Sequence, residues 1–456
     1  MEQRALLEAA TEEVQAERRA ALKEQRRAQA ATAPARVVRA NREQIELRPM
    51  DLDSLLPTVH RARAIWALVE QLELSAFYAS IKARGSWAGR DATDPQVLLA
   101  VWLYATASGV GSAREVERLC EAHAAYRWLR GGVALNYHTL SSFRTAHGPA
   151  LDQLLTQILA VLAQHGLVTL QRVAQDGTRI RAAAGERSFR RGARLEQFEA
   201  QAAAQVQALR AQVGAAAGPA RTARQQAAQA RAARERLQRV TQAVAELKRV
   251  EAERTEYKAG AKEPRRAARA STTDPQARFM RRSDGGRRPA YNLQLATETA
   301  SEVIVGVQVS QGRTDFADAL PMVEQIERRC GQKPPAVLLD TGYTSHANIE
   351  ALAALDVTLY GALPERRGKP DPSAPRATES ASRAALKERM RSLAGQEIYR
   401  ERGQVSERVN GDLKTWRTLE RLTVRGVPKV TCVALLNVIA YNLLRWIVLA
   451  PAVTAT

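Results

Sequence analysis

From Met50 the chain switches between two hydrophobic periods. Up to about His165 the apolar positions recur at helical spacing and the helix ends are well marked. Asp94 followed by Pro95 reads as an N-cap and a first-turn proline, and Ser112 with Glu115 reads as a capping box. The run PQVLLAVWLYATASG between them is apolar enough for a buried helix that stops at Gly109. A second helix from Ala113 to about His123, a turn at Gly131 and Gly132, and a third helix from near Thr139 follow. Three short helices in this order fit a helix-turn-helix with Tyr137, His138, Ser141 and Arg144 on the element that enters a DNA groove. They fit equally well a bundle packed on a catalytic core.

From Gly166 the period becomes two. LVTLQRVAQDGTRIRA alternates, and its Asp-Gly pair reads as a strand end or turn with Asp176 at the far end of the strand. The β signal returns in PAYNLQLATE and EVIVGVQVSQ, a hairpin around Glu298 to Ser301. Next come Asp315 as a helix cap, an amphipathic helix to about Cys330, the apolar strand PAVLLD ending at Asp340, another helix, and the strand DVTLYGAL. The order β-β-β-α-β-α-β predicts an α/β, RNase H-like mixed sheet over 166–185 and 285–450, behind a helical N-terminal DNA-binding domain over 49–165.

Three segments stand apart. Residues 1–48, with ERRAALKEQRRAQAA from Glu17 to Ala31, lack an apolar stripe and read as a basic arm. Residues 186–284 are strongly helical. Leu195, Phe198, Ala202, Val206, Leu209 and Val213 recur at threes and fours, a break follows at Gly214 to Pro219, and Leu237, Val240, Val244, Leu247 and Val250 resume. The expectation is an antiparallel coiled-coil hairpin inserted into the sheet. Residues 364–380, rich in proline and charge, read as a loop.

Composition adds a partner. With 68 basic against 48 acidic residues the net charge is +20, and a polyanion is the expected ligand because phosphate neutralisation releases counterions. A GC-rich genome would raise arginine too, but would not by itself produce that imbalance. Cys120, Cys330 and Cys432 are scattered with no C-x-x-C pair, which suggests neither a disulfide framework nor a zinc site and fits a reducing cytoplasm. No eighteen consecutive apolar residues occur, and no membrane association is expected. A phosphate-binding G-x-x-x-x-G-K-[ST] loop is absent, and the histidines lack zinc spacing. His60 and Arg63 lie too far upstream of Tyr399 for a tyrosine recombinase. The tryptophans Trp66, Trp87, Trp102 and Trp128 read as core rather than as stacking platforms.

The candidate chemistry lies in carboxylates. A magnesium ion takes carboxylate oxygens from different elements and keeps several waters. Asp176 and Asp340 end strands that lie side by side in the predicted topology. A third acid must come from a helix over the sheet, with Glu397, Glu401, Glu407, Asp412 and Glu420 as candidates. Glu407 stands seven residues before Lys414, two turns on and on one face, so that carboxylate and cation can address metal and phosphate together.

In these blocks the sequence resembles bacterial insertion-sequence transposases of the DDE type, whose third block reads Y-x2-R-x3-E-x6-K. Here the corresponding residues are Tyr399, Arg402, Glu407 and Lys414, with four residues rather than three between arginine and glutamate. The resemblance extends to AQDGTRIRA around Asp176, to STTDPQARFMRRSDGGRRPAYNLQLATE from Ser271, to VLLDTGYTS around Asp340 and to RWLRGGVALNYHTLSSFRTAH from Arg127. It runs over most of residues 50–447. It implies two Mg2+ ions, replaceable by Mn2+, held by Asp176, Asp340 and Glu407, and cleavage and strand transfer on double-stranded DNA at terminal inverted repeats and at a target. Tyr399, Arg402, Lys414, Arg179, His138 and Arg144 are the expected DNA contacts, and a homodimer acting in the cytoplasm at the nucleoid is the expected assembly. The alternatives are a catalytically inactive DNA-binding descendant and an RNase H-like structure-specific nuclease.

Overall fold

The computed structural model describes residues 14–28, 50–85, 90–213, 220–257, 267–281, 285–363 and 379–449. The expected loop 364–380 lies, but for its last two residues, outside the described residues, as does most of the arm. Residues 1–50 and 51–456 form separate units. In the first, residues 14–28 form a helix, α1, exposed all round.

The second unit begins with α2 (Arg61–Glu70), α3 (Ser75–Tyr78), α4 (Pro95–Ala107), α5 (Ala113–Ala122), α6 (Ala124–Arg130), α7 (Tyr137–Ala146) and α8 (Gly148–Gln164). Asp94 caps α4 by accepting from the Gln96 N–H at 2.8 Å, and Pro95 fills the first turn. Because α4 is apolar on every side, the fold surrounds it: nearly all of its residues are buried. Ser112 caps α5, but Glu115 bonds Arg118 instead of returning to the Ser112 N–H, so the capping box is half made. Helix α6, ended by Gly131 at φ 55°, falls where the sequence pattern suggested only a turn.

The mixed sheet has the order β4-β5-β1-β7-β8, with β6 on β5. Its strands are β1 (Val173–Arg181), β4 (Arg278–Arg281), β5 (Arg287–Glu298), β6 (Ile304–Ser310), β7 (Ala336–Leu339) and β8 (Thr358–Gly361). β1 runs antiparallel to β5 and parallel to β7, and β7 parallel to β8. Helices α11 (Ala319–Cys330) and α12 (His346–Ala354) connect these strands, and α13 (Ala381–Arg391) with α14 (Leu393–Thr415) follows. The β-β-β-α-β-α-β order therefore holds, with two corrections. Arg278–Arg281, expected inside the helical insertion, is the edge strand β4. Asp315 does not cap α11, whose N-cap position is Asp318.

The insertion contains β2 (Phe189–Arg190) paired with β3 (Ala270–Ser271), and between them α9 (Gly192–Val213) and α10 (Ala220–Tyr257). Leu195, Ala243, Leu247, Val250, Ala268 and Ala270 close the root of this helix pair. A buried ion pair, Arg278 Nη2 to Glu246 Oε2 at 2.5 Å, ties α10 to β4.

Helix α15 (Val427–Leu449) organises the rest. It is long and apolar enough to cross a membrane by length and composition, yet most of it is buried inside the protein. It packs against α4, α7, α8 and β6, so the N-terminal helices and the sheet share one hydrophobic core. Of the two readings of the N-terminal helices, packing favours a bundle continuous with the sheet.

Candidate active site

Asp176 does not end its strand. β1 continues five residues to Arg181, and the Asp-Gly pair marks a close approach rather than a turn. A Cβ on Gly177 would lie 2.5 Å from Asp315 Oδ1 and would also meet Gln294, so glycine is what allows Asp315 to lie over the strand. Asp340 follows β7 directly. Because Gln175 pairs with Leu339 in the parallel register, Asp176 and Asp340 come out next to each other on adjoining strands. The Gly342 N–H donates to Asp340 Oδ1 at 2.7 Å and fixes its carboxylate.

Burial pushes the Asp176 carboxyl up to about 6; the Arg402 guanidinium opposes the shift, and the negative charges of Asp340 and Asp315 add to it. Partly desolvated carboxylates that repel one another are better tolerated beside a cation, which is the character of a divalent-metal site. Asp176 and Asp340 fit two ligands of such a site. Among the described residues no group of three or more His, Cys, Asp or Glu is gathered tightly enough to hold an ion.

Helix α14 crosses over β1 and is pinned near its middle by a two-bond pair between Arg172 and Glu401, each bond 2.9 Å. Arg402 Nη1 then stands 3.7 Å from Asp176 Oδ1, and Asn410 Nδ2 donates to Asp176 Oδ2 at 2.7 Å. Arg402, Ser406 and Asn410 are spaced by four and lie on one face. Glu407 lies beside that face. Its side chain is exposed and, among the described residues, meets no hydrogen-bond or ion-pair partner. It is one turn from Asn410, on the same end of the helix. Tyr399 is half-buried with the Arg402 guanidinium 5.7 Å from its ring, and Lys414 is half-buried in the last turn.

Two expected DNA contacts are spent inside the protein. Arg179 bonds Asp315 (3.1 and 3.3 Å), Asn292 and the Arg313 carbonyl (3.2 Å). Arg144 is buried, bonds the Gly111 carbonyl and lies 4.9 Å over the Trp102 ring; desolvation lowers its pKa to about 10. A guanidinium facing inward from α7 cannot reach a groove, whereas His138 on the same helix is exposed, its ring 3.9 Å from that of Tyr137.

Sequence reasoning missed the support beneath the aspartates. Asn292 and Gln294 each donate to Asp315 Oδ1 at 2.7 Å, Gln175 bridges Gln294 and the Asp318 carbonyl, and the Tyr343 hydroxyl donates to Gln294. The signal was present in β5, where Asn292, Gln294 and Ala296 alternate with Tyr291, Leu293 and Leu295. Polar residues on a strand covered on both faces imply a buried hydrogen-bonded network.

Residues 263–443 match the family described as Transposase DDE domain, and residues 50–146 match the family described as Transposase domain (DUF772). No curated protein and no solved structure gives a significant match. The fold and the two matched domains define a transposase. The chain belongs with the insertion-sequence transposases of the DDE type. The DDE match begins downstream of β1, so Asp176 is placed by the β1–β7 register alone.

Proposed function

We propose that the protein binds the terminal inverted repeats of a bacterial insertion sequence and catalyses metal-dependent DNA cleavage and strand transfer. The observation that carries this reading is the pairing of Asp176 with Asp340 on adjoining parallel strands beneath α14. Asp176, Asp340 and Glu407 would hold Mg2+ or Mn2+, two ions in all, with Glu407 turning in from its exposed position. Bound there, the metal would supply an activated water or 3′-hydroxyl and stabilise the entering and leaving oxygens of an in-line displacement.

The chain's own residues have separable tasks. Asn410 and Gly342 hold the two aspartates in place. Arg402, now a counter-charge to Asp176, is placed to meet the phosphate brought to that carboxylate, and Tyr399 and Lys414 extend the same contact along α14. A synaptic homodimer, with α9 and α10 aiding assembly, follows from the need to cut two ends, and the nucleoid is the setting such a substrate implies.

Asp176→Asn should abolish Mg2+-dependent nicking of duplexes bearing the element's ends while leaving their binding intact. Cleavage that survives this substitution would sink the site assignment. Preference for branched DNA over the terminal repeats in competition would point instead to a structure-specific nuclease.

A further inference from the structure

The carboxylate site is not the only concentration of charge. Where α10 meets the sheet there is a cavity of about 280 Å3 lined by Arg254, Arg269, Arg278, Arg287 and Arg313, with Glu186 as the acidic residue among its lining. Arg278 is committed to Glu246. The Arg269, Arg287 and Arg313 side chains are exposed, and among the described residues none of the three makes a hydrogen bond or ion pair. Arg313 reaches solvent yet is crowded. Desolvation first, then the positive charges of Arg254, Arg287 and Arg278, hold its pKa below the usual arginine range.

Such a cluster is costly to the free protein, because like charges with few counter-charges repel and the α10–β4 junction holds them together. Several fork-shaped donors converging on one opening match the oxygens of phosphate groups. The cavity is also tied to the strand that carries Asp176, since Arg179 of β1 bonds the Arg313 carbonyl.

We infer that this five-arginine cavity is a docking site for backbone phosphates of double-stranded DNA, outside the carboxylate site and fixed in distance from it. The inference rests on the transposase reading and adds to it where the flanking duplex lies. The strand register gives the distance. Asp176 pairs with Leu295, and Arg287 is eight residues further along β5, roughly 26 Å at about 3.3 Å per residue. Arg313 adjoins Arg179, three residues from Asp176, or roughly 10 Å. At about 3.4 Å per base pair, a duplex leaving along these strands meets the cavity roughly three to eight base pairs from the cut.

The test uses the full chain and a random-sequence duplex, because phosphate contacts carry no sequence information. Arg287→Gln with Arg313→Gln should make the dependence of log affinity on log salt shallower by about two, and the corresponding double Lys variant should restore most of it. Thermal melting of each variant reports whether it folds. Phosphate-ethylation interference on the unaltered protein, read on a duplex that carries the element's end and needing no variant, should show blocked positions three to eight base pairs from the cleavage site.

An unchanged slope in the folded Gln variant, or no interference in that window, overturns the inference. Binding of inorganic pyrophosphate that duplex DNA does not displace would also overturn it, identifying a small-anion pocket. The transposase reading fails separately, if the unaltered protein does not cleave element ends or if Asp176→Asn still does.

Discussion

Asn410 of α14 donates a 2.7 Å hydrogen bond to Asp176 of β1 across a separation of 234 residues, while its own Oδ1 is buried without a partner among the described residues. A buried amide with one half satisfied is held for what its other half does. Asn410 is therefore a positioning residue, steadying the Asp176 carboxylate. Asn410→Ala should lower single-turnover cleavage about tenfold to a hundredfold, the worth of one hydrogen bond to a charged group, with duplex affinity unchanged. Equal losses in affinity and cleavage would show that it serves folding instead.

Glu407 offers a sharper contrast, because it is exposed and, among the described residues, without a partner. Replacing it should move stability by no more than about 0.5 kcal/mol. Glu407→Gln is nevertheless expected to eliminate Mg2+-dependent cleavage. If it cleaves normally, the third acid is another residue. The comparison with Glu401→Gln is informative, because that change breaks the pair that pins α14 to Arg172 and should lower stability, by about 1 kcal/mol or less given the exposure of both side chains.

The strand order, the helical insertion and the adjacency of Asp176 with Asp340 were legible because each rests on a local period or on connectivity. Leu195, Leu247 and Val250, with Val244 packed against them, mark the hairpin seam in the sequence just as they do in the structure. Tertiary pairing was not legible. Nothing local tells that Arg144 turns inward under Trp102 or that Arg179 is bound by Asp315, since a surface arginine and a buried one look alike in a helix or strand pattern. Asp315 read as a cap because aspartate before a helix usually is one, and Gly177 read as a turn because the Asp315 approach that requires glycine comes from 138 residues away.

Arg144 tests the reading of the N-terminal helices. Its guanidinium is buried against Trp102 and the Gly111 carbonyl, so Arg144→Met should leave the salt dependence of duplex binding untouched and report only in stability. A groove-facing arginine would behave the other way, with affinity reduced and a slope shallower by about one. Thermal melting and a salt titration on one preparation distinguish the two.

Arg278 and Glu246 tether the long helix pair to the sheet edge, both nearly buried. Glu246→Ala leaves the Arg278 charge unpaired in a desolvated place and should cost about 3–5 kcal/mol. Replacing both by methionine should cost far less, since the desolvation penalty disappears with the charges. The measurement is a denaturant titration of the single and double variants. A double variant as unstable as the single would mean that the pair holds the α10–β4 junction by geometry as well as by charge.

Asp318 gives the pH dependence. It is buried at the start of α11, and desolvation is the leading cause that pushes its carboxyl up to about 6, against roughly 3.9 in an unfolded chain, while a hydrogen bond from Ser310 opposes the shift. As pH rises between those values the unfolded chain releases the proton while the folded one keeps it, so the contribution of this group to stability falls, by about 2–3 kcal/mol in all, and stays low above pH 6. Asp318→Asn keeps the shape and removes the charge. It should therefore raise the melting temperature at pH 7, leave it nearly unchanged at pH 4, and flatten the pH profile between the two. A variant less stable than the parent at pH 7 would show that the ionised carboxylate is wanted in the fold, the Ser310 hydrogen bond outweighing the desolvation it offsets.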